Sequence, residues 1–325
     1  MLQGKLCTEA EVWDEIIHDL GGHPLQLWGW GELKAAHNWH AHRVIFTDQQ
    51  GGVAGAAQIL ERTLPKPFRR LSYVPRGPVC RAGDDSAVYQ ALAAYAAKNL
   101  PGTLLTVEPD SASIPDIKGW RQSENTILIP KTLILNLKQS EDELLAAMAK
   151  KTRQYIRKSE RAGIALRQVK TGAELEKLLE IYHQTAQRAG FAIHDDSYYR
   201  DVHAKLGDSS LIFAAYADDA PVAFVWLAAS QATAFELYGG MNQRGQALRA
   251  NYALKWFAIR KCKEWGIRRY DLNGLLNDGI SNFKRGFAKH EDMLAGTYDY
   301  PLSPLYGVWT KLLPAAKKVI RAIKR

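Results

Sequence analysis

The sequence predicts an α/β protein, and three observations lead to that class. Helix-start signals recur along the chain, apolar strand-like runs alternate with them, and one strand–turn–strand cadence occurs in both halves. Helix starts are marked by Thr8 with Glu11, Ser140 with Glu143, and Thr171 with Glu174. In such a capping box the hydroxyl and the carboxylate three residues on satisfy amides that a helix start leaves orphaned. Gly21-Gly22 ends the first helix, and the second is expected to run a long basic course to Gly163. Strands are expected within residues 42–46, 52–60, 102–108, 132–137, 210–216, 220–230, 233–240 and 267–274.

The repeat is specific enough to follow. Val44-Ile45-Phe46, Asp48 and Gly52-Val53-Ala54-Gly55 read as strand, turn, strand. Leu211-Ile212-Phe213, Asp218 and Pro221-Val222-Ala223-Phe224 repeat that order, which implies two related domains. After the second hairpin come a strand ending at Tyr238-Gly239-Gly240, a helix over residues 248–266, and another strand. Leu248, Tyr252, Trp256, Ile259 and Cys262 recur at spacings of three and four, an apolar face for a sheet. Strand, strand, helix, strand is the core of the GCN5-related acyltransferase (GNAT) architecture. The domain boundary is expected near 132–137, before Ser140.

Composition narrows the function classes. With 46% hydrophobic and 24% charged residues, the chain is expected to fold as a soluble globule. Lys and Arg total 43 against 34 for Asp and Glu, and a net charge of +9 favours polyanionic partners. Cys7, Cys80 and Cys262 are an odd, scattered set, which argues against a disulfide framework or a zinc site. Neither a signal-peptide core nor an apolar run of spanning length is present, so a cytoplasmic protein without metal is expected.

Gln26 to Lys34, Tyr73 to Val79, Lys151 to Lys158 and Phe283 to Phe287, in that order, resemble motifs of the Fem (FemABX) family of bacterial peptidyltransferases. Gln26 to Lys34 is similar to the family's Q-x-x-x-W-x-x-x-K opening, and Tyr73 to Val79 to its Y-x-P-R-G-P-V. Val107-Glu108-Pro109-Asp110 follows, then the run Lys151 to Lys158, similar to K-x-R-x-x-I-R-K. Arg188 to Phe191, Tyr198-Tyr199, Tyr238-Gly239-Gly240, Tyr270 to Gly274 and Phe283-Lys284-Arg285-Gly286-Phe287 complete the set. The resemblance implies two tandem GNAT-like domains with mixed sheets flanked by helices. The first would be 1–138 with 297–325, closed by the C-terminal helix and binding precursor. The second would be 139–296. A coiled-coil arm seen in some relatives is missing. The implied activity is transfer of an amino acid from aminoacyl-tRNA, as co-substrate without a further cofactor, to the stem-peptide amine of a peptidoglycan precursor. That precursor would be UDP-MurNAc-pentapeptide or lipid II.

Residue roles follow from that resemblance. Lys284 would stabilise the oxyanion formed when an amine attacks the ester, with Phe283 beside the tRNA acceptor end and Gly286 allowing a tight turn. Lys34, Trp30, Arg76, His194, Tyr198 and Tyr238 would bind precursor. His194 stands where the family has Arg, and Arg188 or Arg200 is a substitute. Lys151, Arg153, Arg157 and Lys158 would hold tRNA phosphates. Asp110 or Asp271 is a candidate base. Each residue also has a plainer reading: solvated lysines, a basic helix face, carboxylates capping backbone. The basic, amphipathic tail from Val308 to Arg325 suits either anionic lipid at the inner membrane face or docking on the first domain. Two rival functions stay open. An acyl-CoA-dependent N-acyltransferase would want an R/Q-x-x-G-x-G/A loop, whose spacing Asn242 to Ala250 lacks. A non-catalytic tRNA- or RNA-binding protein would need only the basic helix.

Overall fold

The computed structural model describes residues 2–276 and 278–313. The chain divides into two compact units, one built from residues up to Pro130 and from Met293 onward, the other Lys131–Asp292.

In the first unit, β1 (Gln3–Leu6) precedes α1 (Ala10–Asp19), whose face of Trp13 and Ile17 is buried. The expected Thr8 cap does not form: Glu9 occupies the cap position without a side-chain bond, so the helix starts uncapped. Gly21, at φ +70°, ends it as expected. Then come α2 (Trp28–Ala35), β2 (His40–Thr47), β3 (Val53–Thr63), β4 (Arg70–Pro75), β5 (Val79–Cys80), α3 (Asp85–Asn99), β6 (Leu104–Glu108) and β7 (Arg121–Gln122). The main sheet runs β1-β2-β3-β4-β6, continued by the returning strand Tyr298–Pro301 and β7. Only the β4–β6 pair is parallel in that order, because α3 carries the chain across. Val44, Phe46, Ile59, Val74, Leu92, Leu105 and Val107 form the core beneath it.

The second unit holds β8 (Lys131–Thr132), β9 (Ile134–Asn136), α4 (Glu141–Ala147), α5 (Lys150–Glu160), β10 (Ala165–Gln168), α6 (Gly172–Ala189), α7 (Asp196–Leu206), β11 (Ser210–Ala217), β12 (Ala220–Ala229), β13 (Thr233–Met241), α8 (Gln243–Leu248), α9 (Ala250–Glu264), β14 (Arg269–Asp271) and α10 (Gly279–Arg285). Its sheet order is β10-β11-β12-β13-β14-β9, with β13 and β14 parallel across α9. Hairpin, third strand, crossover helix and parallel fourth strand therefore occur once in each unit. In both, an antiparallel strand borders the fourth: the returning strand in the first unit, β9 in the second.

That pairing moves the boundary. β9 lies within the 132–137 strand and pairs with β14, so it belongs to the second unit. The division falls after Pro130 rather than after 138, and the return at Met293 rather than 297.

Two helices also differ from expectation. The basic segment is two helices, broken at Met148, whose ψ of 152° is extended. Arg153 stabilises the break by donating to the carbonyls of Leu145 and Met148, at 3.2 and 2.5 Å. At the other, Arg249 adopts φ +55°, separating α8 from α9, so Leu248 precedes the crossover helix. The capping box of Ser140 and Glu143 forms in full. Thr171 caps α6 through the amide of Glu174, whose carboxylate bonds back to the Thr171 hydroxyl and the Lys170 amide.

Candidate functional site

The second unit contains a cavity of about 660 Å³, open to solvent on one side and walled by β12, β13, α6, α9 and α10. Phe283 and Lys284 enter it from α10, a short helix begun by Asp278, whose carboxylate accepts the Ser281 amide at 2.7 Å. Phe283 is fixed by edge contacts with Tyr252 and Phe287, at centroid distances of 4.9 and 5.2 Å. Lys284 Nζ donates to the carbonyls of Asn273 and Gly274 at 3.0 and 3.1 Å. An ammonium has three donors, so two anchor the charge and one is left for a ligand.

Those carbonyls are presented by a turn that Asp271 builds. Asp271 is fully buried at the end of β14; it accepts from the Thr132 hydroxyl at 2.5 Å and the Asn273 amide at 2.7 Å. Asn273 holds φ +59°, and its side-chain amide donates to the Glu236 carbonyl at 2.9 Å. Asp271 does not line the cavity, so its place is behind Lys284 rather than as a base in contact with substrate. Asp110 belongs to the first unit and lines neither cavity described here.

Sequence reasoning missed two charged residues of the cavity. Lys255 of α9 and Glu236 of β13 form an ion pair there, with side chains 7% and 10% exposed. Each sits within an apolar run, Ala253-Leu254-Lys255-Trp256 and Ala234-Phe235-Glu236-Leu237, and opposite charges inside two such runs are the signal that could have found them. Burial lowers the Lys284 pKa; Glu236, Asp271 and Asp278 pull it back up, while Lys255 pushes it further down. Burial also drives the Tyr270 and Tyr238 phenols far above their usual range.

Tyr238 lines the cavity within an aromatic cluster, packed edge-on to Tyr199 at 5.0 Å and tilted against Tyr182 at 5.7 Å. His194 stacks on Tyr198 at 4.1 Å, so these three expected residues gather on one side of the second unit. Arg188 donates to the Met241 carbonyl at 2.9 Å, and Arg200 makes two 2.7 Å bonds to Glu176. On α5, Lys151, Arg157 and Lys158 are exposed; Arg153 is taken up by its helix break. Gly286 serves close packing: its φ is −66°, and a Cβ there would meet the Thr152 hydroxyl at 2.3 Å. The expected tight turn is not its reason.

Lys34 and Trp30 meet in the first unit, where Lys34 Nζ lies 4.6 Å from the Trp30 ring centroid. They line a cavity of about 340 Å³ with Trp39, Arg62, Tyr73 and Asp299. Trp309 and Leu313 close part of it, and Trp309 packs on Phe68 at 4.9 Å. The described part of the tail therefore docks on the first unit; its remainder, 314–325, lies outside the described residues. Arg76 lines neither cavity. It is 1% exposed at φ +50° and reaches the Ile129 carbonyl at 3.4 Å.

The segment that would cradle a CoA pyrophosphate is built otherwise. Asn242 caps α8 through the Gly245 amide at 2.9 Å, and a Cβ on Gly245 would lie 2.2 Å from the Val222 carbonyl. That glycine serves packing on β12, and α9 begins after Arg249, which holds φ +55° and makes no side-chain cap bond. Among the described residues no helix is long and apolar enough to cross a membrane.

Comparison with known proteins agrees with this architecture. The crystal structure of FemX superimposes with a TM-score of 0.83 at 19% identity, covering 95% of this chain and 100% of that one. A tandem GNAT protein from the clavulanic acid pathway covers 94% of the chain at 14% identity, TM-score 0.53. Both likenesses carry the fold: mixed α/β, of tandem GNAT type. The Lipid II:glycine glycyltransferase of Staphylococcus aureus is 28% identical over 215 residues, 58% of this chain and 49% of that protein. The chain spans about half the length of the curated relatives it matches. The model of the FemAB family matches residues 16–129, 120–221 and 214–313. The chain belongs to the FemAB family.

Proposed function

We propose that the protein is an aminoacyltransferase that moves an amino acid from aminoacyl-tRNA to the stem-peptide amine of a peptidoglycan precursor, building an interpeptide bridge. The observation that carries this reading is Lys284: a cation anchored by two backbone carbonyls at the wall of an open, largely apolar cleft. An amine attacks the ester carbonyl carbon, and negative charge collects on the carbonyl oxygen. A pre-positioned ammonium stabilises that charge more than the ground state, and it costs no reorganisation when the charge appears. Collapse breaks the bond to the ribose oxygen, which takes the proton the amine gives up. Phe283 offers an aromatic face to the acceptor end, and exposed Lys151, Arg157 and Lys158 offer charge to its phosphates.

The precursor is assigned to the cavity of Lys34 and Trp30, where a cation beside indole suits a nucleotide or lipid diphosphate. His194, Tyr198 and Tyr238 are assigned to the peptide end. A peripheral place at the inner membrane face, where a lipid-linked precursor resides, belongs to this reading, but the described stretch of the tail, docked on the first unit, does not supply it. The test offers purified protein charged tRNAs with UDP-MurNAc-pentapeptide or lipid II, and acetyl-CoA as a control donor. Transfer that disappears after ribonuclease treatment is expected; transfer from acetyl-CoA alone would replace this reading with the CoA-dependent one.

A further inference from the structure

We infer that Glu236, held by Lys255, is the binding residue for the donor's α-ammonium, so that the cavity selects aminoacyl esters over uncharged acyl esters. This rests on the proposed transfer and deepens it. In an aminoacyl ester the ammonium sits on the carbon next to the reacting carbonyl. A site that places the carbonyl oxygen on Lys284 therefore fixes the ammonium within a few bond lengths of that lysine. Glu236 is where such a group needs an anion: it lines the same cavity, and it is the strongest charge acting on Lys284.

The other carboxylate lining the cavity, Asp278, is engaged at the start of α10, accepting from the Ser281 amide at 2.7 Å. Glu236 has no such backbone task. One of its oxygens takes Lys255, and a carboxylate has acceptor capacity left for a second cation. Three groups surround it. Lys255 is paired with it from α9, Lys284 approaches from α10, and the Tyr270 phenol lies beside it from β14.

Burying this pair carries a desolvation cost that apolar side chains of similar volume would avoid. Neither end caps a helix. A ligand cation explains why a charge is kept inside the cavity wall.

The experiment compares two donors on the same RNA, an alanyl ester and its lactyl counterpart, in which a hydroxyl replaces the ammonium. Transfer to precursor is measured as kcat/KM for each. The native protein is expected to prefer the alanyl ester. Glu236→Gln should lower that preference roughly 10- to 100-fold, the range for a lost hydrogen bond to a charged group; the ratio of the two kcat/KM values is the readout, because an effect through Lys284 falls on both donors and cancels in it. Because this change leaves Lys255 without its partner, Glu236→Gln with Lys255→Met is measured beside it, and the same loss of preference is expected. An undiminished preference in the double variant overturns the inference while leaving the transferase reading intact. Absence of transfer from either donor by the native protein overturns both.

Discussion

At the scale of single residues, the chemistry is concentrated on Lys284, and its environment makes a claim about pH. Burial pushes its pKa below that of an ordinary lysine, against the opposing pull of Glu236, Asp271 and Asp278. The protonated form is the one that stabilises an oxyanion, so activity should fall as pH rises through that lowered pKa. Lys284→Arg keeps its charge to much higher pH. The variant should turn over more slowly at neutral pH, because a planar guanidinium fits the two carbonyls differently, yet lack the alkaline decline. A pH profile of kcat for both proteins checks this; identical alkaline limbs would show that another group governs it. Lys284 was legible in the sequence because Phe283-Lys284-Arg285-Gly286-Phe287 is a local motif. Glu236 and Lys255 were not, since their pairing depends on β13 and α9 packing together, a contact that no spacing announces.

At the scale of elements, the sequence was readable where local chemistry decides and silent where tertiary contacts do. The Ser140 box formed because both partners lie within one turn. The break at Met148 was invisible, because it depends on the Arg153 guanidinium and on the Ala149 amide bonding to the Gly286 carbonyl at 2.9 Å. That break divides the basic helix by role. Alanine at Lys151, Arg157 and Lys158 should reduce the salt slope of tRNA binding by roughly 0.7–0.9 per lost phosphate contact. An unchanged slope in a titration over salt would mark this face as solvated only. Arg153→Ala should instead lower the melting temperature.

The start of α6 carries a second element-scale expectation. Burial raises the Glu174 pKa, but bonds from Tyr216, Lys170 and Thr171 and the charge of Arg167 outweigh it and hold the carboxyl at about 2, against 4.5 ordinarily. A depressed folded pKa stabilises the fold fully above 4.5, and that stability is lost as pH falls toward 2. Glu174→Gln should therefore melt below the native protein at neutral pH, and the gap should close in acid. A constant gap in melting temperature across that range would refute the linkage.

At the scale of the whole molecule, the repeated hairpin pointed to two units of one design, and each sheet shows the same order around one parallel pair. The sequence misplaced the boundary because β9 precedes its unit's hairpin yet finishes the sheet beyond β14. Such non-local pairing leaves no trace in local pattern. The two units also divide the proposed labour, with Lys34 and Trp30 in one cavity and Lys284 with Glu236 and Lys255 in the other. Binding groups that act equally in ground and transition states should register in KM, and Lys284 should register in kcat. The most direct measurement is therefore the transfer rate at saturating charged tRNA and precursor for correctly folded Lys284→Ala, with Lys34→Ala alongside. A fall in kcat of roughly 10²–10³ for Lys284→Ala with little change in KM, and a raised KM with smaller loss of kcat for Lys34→Ala, is the predicted result. Near-native turnover by Lys284→Ala would contradict the account.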